Sequence, residues 1–211
     1  YETSRQNSKN DLFNIGQTDQ PLGYLPQNYE RGKIDSLSNI NNTREERHNI
    51  AIRTQMTINE LNIIAGLSFS PQSQQIYMLR ENTVTDTTFH YTNFMPNLSI
   101  FYYKNQMSLS FNYSGYMRQP SAGELLPLTN NDDPLYVNKG NPNLKSSYTH
   151  NIMANLRKGV AWINMTFQQT FNSITQRSIY DPTSGVRTNT PDNINGNWNA
   201  NFNGGISKDW E

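Results

Sequence analysis

Four stretches of this chain alternate strictly between apolar and polar residues, and that period of two constrains the fold more than any other feature. After His48, the residues Ile50, Ile52, Met56 and Ile58 share one face with Thr54, against Asn49, Ala51, Arg53, Gln55 and Thr57. From Met107 the apolar face is Met107, Leu109, Phe111 and Tyr113, against Ser108, Ser110, Asn112 and Ser114. From Ala161 it is Ala161, Ile163, Met165 and Phe167, against Trp162, Asn164, Thr166 and Gln168. Near the end, Trp198, Ala200, Phe202, Gly204 and Ile206 oppose Asn197, Asn199, Asn201 and Asn203. Successive side chains of a β-strand point to opposite faces of its sheet, so each stretch is a strand with one dry face and one wet face.

Ribbons of this kind need little apolar material. Only 34% of the residues are hydrophobic, where an ordinary globular domain carries about 45–50%. Disorder does not explain the shortfall, because aromatic residues make up 11% of the chain and disordered segments are poor in them. The 17 basic residues balance the 17 acidic ones, which gives no general attraction to nucleic acid or to an anionic surface. Cysteine is absent, which excludes disulfides, thiolate metal sites and cysteine nucleophiles. No run of about 18 apolar residues offers a transmembrane helix.

The breaks between strands add a second constraint. Short polar turns fall at Asn59-Glu60, Tyr103–Gln106 and Arg157–Gly159. Long segments rich in Asn, Ser, Thr, Pro and Gly cover about 9–44, 71–89, 119–146 and 172–195. Compact soluble domains seldom carry several loops longer than about 12–15 residues, whereas outer-membrane barrels join tight turns at one end to long loops at the other. The expected fold is therefore all-β: an antiparallel up-and-down meander forming part of a transmembrane outer-membrane β-barrel, with hairpin arms of about 10–15 residues. A soluble β-sandwich with a binding or adhesion role fits the same alternation, its dry face buried against a second sheet. Tyr91, Tyr102, Tyr103, Tyr113, Tyr116, Tyr148, Trp162, Trp198 and Trp210 stand near strand ends, where an interfacial aromatic girdle would place them; cross-strand aromatic packing explains them as well.

One segment carries more than a pattern. Tyr116-Met117-Arg118-Gln119-Pro120-Ser121 is followed, after a polar insert, by Gly140-Asn141-Pro142-Asn143-Leu144-Lys145. Pro120 cannot donate to a ladder and ends pairing after Gln119, and Gly140-Asn141-Pro142 forms a turn. A loop folded back over the barrel mouth accounts for both elements on conformational grounds alone. The pair also resembles the barrel of TonB-dependent outer-membrane receptors. There, a strand ending in Arg-x-Pro climbs to the cell surface, and Gly-Asn-Pro-(Asp/Asn)-Leu-Lys starts the descending strand. The wording is most similar to the Bacteroidetes branch of outer-membrane β-barrel proteins, although Ser146 and Ser147 replace the Pro and Glu that often follow the Lys. Residues 118–120, 140–142, Leu144 and Lys145 carry the resemblance, and strand phasing extends it weakly over about 44–210.

That resemblance implies a receptor that imports a scarce or large nutrient: an iron chelate, cobalamin, an oligosaccharide or a peptide. It implies outer-membrane lipid, the nutrient and a periplasmic energy-coupling protein as partners, with no cofactor. Tyr116, Arg118, Glu124, Asn130, Asp132, Asp133, Tyr136 and Asn141 are the expected ligand contacts of the loop and rim. The chain as a whole, 1–211, is expected to be one partial barrel domain of a longer protein, without its plug and closing strand, whose bare edges would pair with neighbours. A surface barrel with no transport role is the other reading of the same fold.

Signals for catalysis or metal binding are weak. His48, His90 and His150 are isolated, and a metal site needs several converging ligands. Asn130-Asn131-Asp132-Asp133 lacks the spaced oxygen ligands of a calcium loop. Ser121 lies in no nucleophile elbow. Glu45-Glu46 beside Arg44 and Arg47 reads as a salt-bridged strand end at the outer rim. No enzymatic activity is expected.

Overall fold

A computed structural model describes residues 2–10, 29–32, 39–80, 83–126, 129–133 and 135–207. Its strands are β1 (Glu2–Asn10), β2 (Asn39–Arg47), β3 (Ile50–Ile58), β4 (Leu61–Arg80), β5 (Thr83–Lys104) and β6 (Met107–Arg118). A one-turn helix, α1 (Ala122–Leu125), and the short strands β7 (Thr129–Asp133) and β8 (Tyr136–Lys139) follow. The chain continues through β9 (Ser147–Lys158), β10 (Ala161–Phe171), β11 (Ser173–Tyr180), β12 (Arg187–Ile194) and β13 (Asn197–Ile206).

Nine strands make one sheet in the order β1-β2-β4-β5-β6-β9-β10-β13, with β3 also on β4. Every neighbouring pair in it is antiparallel, so the architecture is the expected up-and-down meander. β2 and β3 are one wall strand in a single register, Arg47 opposite Gln72 and Ile50 opposite Phe69. Pairing lapses between them at Pro71, which has no N–H to give and only accepts from the His48 N–H at 3.0 Å. Among the described residues the sheet is open, because β1 and β13 each pair there on one side only.

The tight turns gather at one end and are stitched together there. Asn59, Asn105, Gln106 and Gly159 take φ of 49°, 50°, 62° and 55°, the left-handed values that two-residue hairpin turns require. Tyr103 N–H donates to Glu60 O, Gly159 N–H to Gln106 O and Ser207 N–H to Val160 O, so each turn is bonded to the next strand.

Register sorts the side chains cleanly. Leu61, Ile63, Leu67 and Phe69 of β4 lie opposite Tyr102, Ile100, Pro96 and Phe94 of β5. Ile100 leads on to Phe111, Ala154, Met165 and Phe202 across β6, β9, β10 and β13. One face is thus an unbroken apolar band. Its residues are bare: Ile52 is 74%, Ile163 42% and Phe202 70% exposed, while Leu109, Phe111 and Phe167 are half-buried only by their neighbours within the sheet. The sandwich would have buried these side chains against a second layer, and that reading fails here. A wall whose dry face meets lipid needs no such layer.

The opposite face is polar, with Asn62, Ser110, Asn155, Asn164 and Asn203 around one rung of the wall. Of the girdle candidates, Tyr102, Tyr113, Tyr148 and Trp198 are on the dry face, and Tyr91, Tyr103, Tyr116 and Trp162 are on the wet one, where they cannot touch lipid. Trp210 lies outside the described residues. Around His150, on the dry face, Tyr113 stacks at 6.0 Å and Tyr148 and Phe171 meet the ring edge-on at 4.8 and 5.8 Å. That cluster closes the loop end of the band.

Two of the expected long loops are largely strand. Residues 71–89 belong to β4 and β5, which run for 20 and 22 residues; at about 3.3 Å per residue and 45° tilt, β4 alone rises about 45 Å. That exceeds the ~30 Å of hydrocarbon. Beyond Phe69 the dry face turns polar at Ser73 and Gln75, opposite His90 and Thr88. A strand standing in water on both sides loses its alternation, and composition then reads it as loop. The same holds for 172–195, most of which is the β11–β12 hairpin. In the expected loop 9–44, the described part of its far end is the start of β2.

A charge in the apolar band separates the two faces experimentally. Phe111→Lys is expected to destabilise the folded barrel by about 2–4 kcal/mol, while Asn112→Lys, next along β6 on the wet face, changes it little. Urea unfolding in lipid vesicles measures both.

Candidate functional site

The two motif elements come together where β6 stops. Pro120 is fully buried, and Ser121 caps α1 in a capping box with Glu124. The Glu124 carboxylate accepts from Ser121 N–H at 2.8 Å and Ser121 Oγ at 3.0 Å, and from Arg118 Nη2 at 2.8 Å. Burial by itself would raise this carboxyl, but the hydrogen bonds from Arg118 and Ser121 outweigh it and hold it below the ordinary glutamate value. The turn so fixed drives Leu125 and Leu126 down onto Ile76 and Met78 of β4, with Leu144 beside them. These side chains are the buried apolar core of the described chain. It lies on the wet face, at the loop end.

The second element clamps the first. Asn141 N–H donates to Glu124 O at 2.7 Å. Gly140 passes so close to Leu126 that a Cβ there would run into the Leu126 carbonyl oxygen. Asn141 Oδ1 accepts from Asn143 N–H at 3.0 Å, which folds the Asn-Pro-Asn turn, and its Nδ2 donates to Pro191 O at 3.1 Å. Leu144 follows into the apolar seat, and Lys145 leads to β9. Ser147 Oγ donates back to Arg118 O at 3.5 Å.

A neighbouring loop is bound into the same latch. β11 and β12 continue the β10–β13 hairpin, but Asn172 at φ 50° and Gly196 at φ 87° turn it aside. β12 then pairs in parallel with β8, which pairs with β7, to give a four-stranded loop sheet in the order β11-β12-β8-β7. Asn193 is its hub: Oδ1 accepts from Lys145 N–H at 2.8 Å, and Nδ2 donates to Lys145 O at 3.0 Å and Asn172 O at 2.8 Å.

Among the described side chains, the expected contact residues take different places. Tyr116 stands on the wet face, its hydroxyl accepting from Gln168 Nε2 at 3.1 Å. Arg118 lies at the rim, its side chain half exposed and paired with Glu124. Glu124 and Asn141 spend their polar atoms inside the latch, and Tyr136 is exposed on the loop sheet. Asn130, Asp132 and Asp133 have backbone in β7, and their side chains lie outside what is described. Gly123, Glu124, Asn138, Lys139 and Gln176 do share a shallow groove of about 220 Å³ between the loops. Among the described residues no three His, Asp or Glu converge as metal ligands. At the β2 end Arg44 pairs with Glu46 at 2.6 Å, and Glu45 and Arg47 bond to Gln74 and Gln72.

Several features escaped the residue pattern. Asn193 sits in a turn-rich stretch where another asparagine draws no notice. A concavity of about 580 Å³ on the wet face at the turn end is lined by Phe101, Tyr103, Arg157 and Trp162 with Asn62 and Asn164. Ser70 Oγ, Gln74 Oε1 and Tyr91 OH, close to the latch, are buried with no hydrogen-bond partner; each such atom costs about 1–3 kcal/mol.

A model of the outer membrane protein beta-barrel family matches residues 27–210. No curated protein matches the chain.

Two outcomes follow from the latch. Gly140→Val is expected to cost about 1–3 kcal/mol and to open Gln119–Leu126 to protease, whereas Gly123→Ala, with open space around it, is silent in the same digestion. The Glu124 carboxyl lies lower folded than unfolded, so its stabilisation is full above the ordinary value of 4.5 and is lost as pH falls through the lowered one. The melting-temperature gap between the parent and Glu124→Gln is therefore widest at neutral pH and closes in acid.

Proposed function

Because the chain belongs to the outer membrane protein beta-barrel family and lies in the bacterial outer membrane, we propose that it is a wall segment of a TonB-dependent receptor of the Bacteroidetes type. The intact protein would import a nutrient too large or too scarce for open pores, with an energy-coupling protein in the periplasm as its partner. The observation that carries this reading is the pair of motif elements, Arg118-Gln119-Pro120 and Gly140–Lys145, folded into one latch at the mouth of a polar wall. A barrel of this design presents hydrogen-bonding groups to an aqueous lumen and hands specificity to its loops. Tyr116 and Arg118 on the wall, and Tyr136 with the groove beside Lys139 on the loop sheet, are the contacts we assign to the ligand. Asn130, Asp132 and Asp133 extend that surface along β7. Glu124 and Asn141 act on it through the latch. No catalytic step is assigned to any of these residues.

Uptake tests the reading directly. Deleting the gene is expected to abolish accumulation of one labelled nutrient among an iron chelate, cobalamin, an oligosaccharide and a peptide. Arg118→Ala and Tyr116→Ala restored to the deletion strain should each reduce that uptake by about tenfold or more. Unchanged uptake of all four on deletion would leave a display barrel without transport.

A further inference from the structure

We propose that Gln119–Leu126 is a lid that opens and closes over a hydrogen-bonding strip of the inner wall. The strip lies on consecutive rungs of one face, with Ser70 opposite Asn93, Gln72 opposite Tyr91 and Gln74 opposite Phe89. Ser70, Gln72, Gln74 and Asn93 are all buried. The lid crosses it from end to end. Gln119 Nε2 donates to Asn93 Oδ1 at the lower rung, and Leu125 and Leu126 sit on Ile76 and Met78 at the upper end.

The wall beneath this cover is of two kinds. Where the leucines press, β4 presents Ile76 and Met78, the residues a permanent cover calls for. One step further down it presents Ser70, Gln72 and Gln74, and in the covered state no protein group pairs with Ser70 Oγ, Gln74 Oε1 or Tyr91 OH. Buried polar groups in a settled structure are paired, and those that are not point to a second state in which they are. Lifting the lid returns these atoms to water or to a solute in the lumen. The strip so exposed is electrically neutral, since Gln74 Nε2 is held by Glu45 at 3.1 Å and Gln72 Oε1 by Arg47 at 3.2 Å, opposite charges on the same neighbouring strand.

The lid is fastened by Gln119 on Asn93, by the leucines in their apolar seat, and by one carboxylate, Glu124, between them. Between Pro120 and Gly140 the turn is held by the Glu124 carboxylate, through Arg118 and Ser121, and by the Asn141–Glu124 backbone bond. Loss of the Glu124 carboxylate removes the charged fastening and so lowers the cost of lifting the leucines and Gln119 from the wall. This mobility goes beyond import and stands whether or not the barrel transports anything.

Cysteine accessibility decides the matter, because this chain has no cysteine of its own. Ser70→Cys is placed in the full-length protein, on a background free of other cysteines, and probed in native outer membranes with a small uncharged thiol reagent. Opening predicts slow but complete labelling, accelerated about tenfold by Glu124→Gln, with an exposed Tyr136→Cys control unaffected by that change. No labelling over hours while the denatured protein reacts fully, or a rate that Glu124→Gln leaves unchanged, overturns the lid. Should Ser70→Cys fail to fold, hydrogen exchange on the parent and on Glu124→Gln serves instead. Leu125 and Leu126 amides exchanging within minutes, and faster in the variant, support the lid; protection equal to that of the Leu109–Phe111 ladder rejects it.

Discussion

The fold rests on the requirement that every backbone N–H and C=O inside hydrocarbon find a partner in the chain itself. A meander of antiparallel strands meets that demand by pairing each strand with its neighbours in sequence, and the stitched turns at one end hold the pairing in step. Once the ladder is in place, alternation does the rest. Each strand gives its apolar residues to one face, and the faces line up because register carries Ile63, Ile100, Phe111, Ala154, Met165 and Phe202 round a single rung. A core in the usual sense is then unnecessary, which is how a chain with so few apolar residues folds at all.

Where the wall leaves the membrane the constraint changes, and the structure changes with it. β4 and β5 continue for several rungs past Phe69 and Phe94, with Ser73, Gln75, His90 and Thr88 now on the former lipid side. At the same height the wet face acquires the apolar seat of Ile76, Met78, Leu125, Leu126 and Leu144. The buried apolar side chains now lie on the inner face. Below, apolar residues meet lipid; above, these fasten the loop that carries the motif. The motif residues that look most like ligand groups, Glu124 and Asn141, make the hydrogen bonds that hold that loop. Arg118 serves both purposes from its place at the rim.

Strand phase was legible residue by residue wherever one side met lipid, as in Ile50–Ile58, Met107–Tyr113, Ala161–Phe167 and Trp198–Ile206. The turns at Asn59 and Gly159 announced themselves through residues that tolerate positive φ. Residues 71–89 and 172–195 were not legible as strand, because water on both faces removes the alternation that marks one. Nor was the sense of the aromatic residues. Trp162 and Trp198 each stand near a strand end, yet parity sends one inward and the other outward, and parity is known only when the register is.

Residue order alone thus sets the class of structure: period-two ribbons with a dry and a wet side, tight turns at one end, and a Pro-terminated strand facing a Gly-Asn-Pro turn. Each of these follows from preferences local to a few residues. Tertiary structure alone decided that Asn193 joins the two loops, that Gly140 must pass beside Leu126, that Ile76 and Met78 receive the leucines, and that Ser70, Gln74 and Tyr91 lie covered and unpaired. Those contacts unite residues more than a dozen positions apart, and no local preference encodes which distant partner a buried side chain will meet.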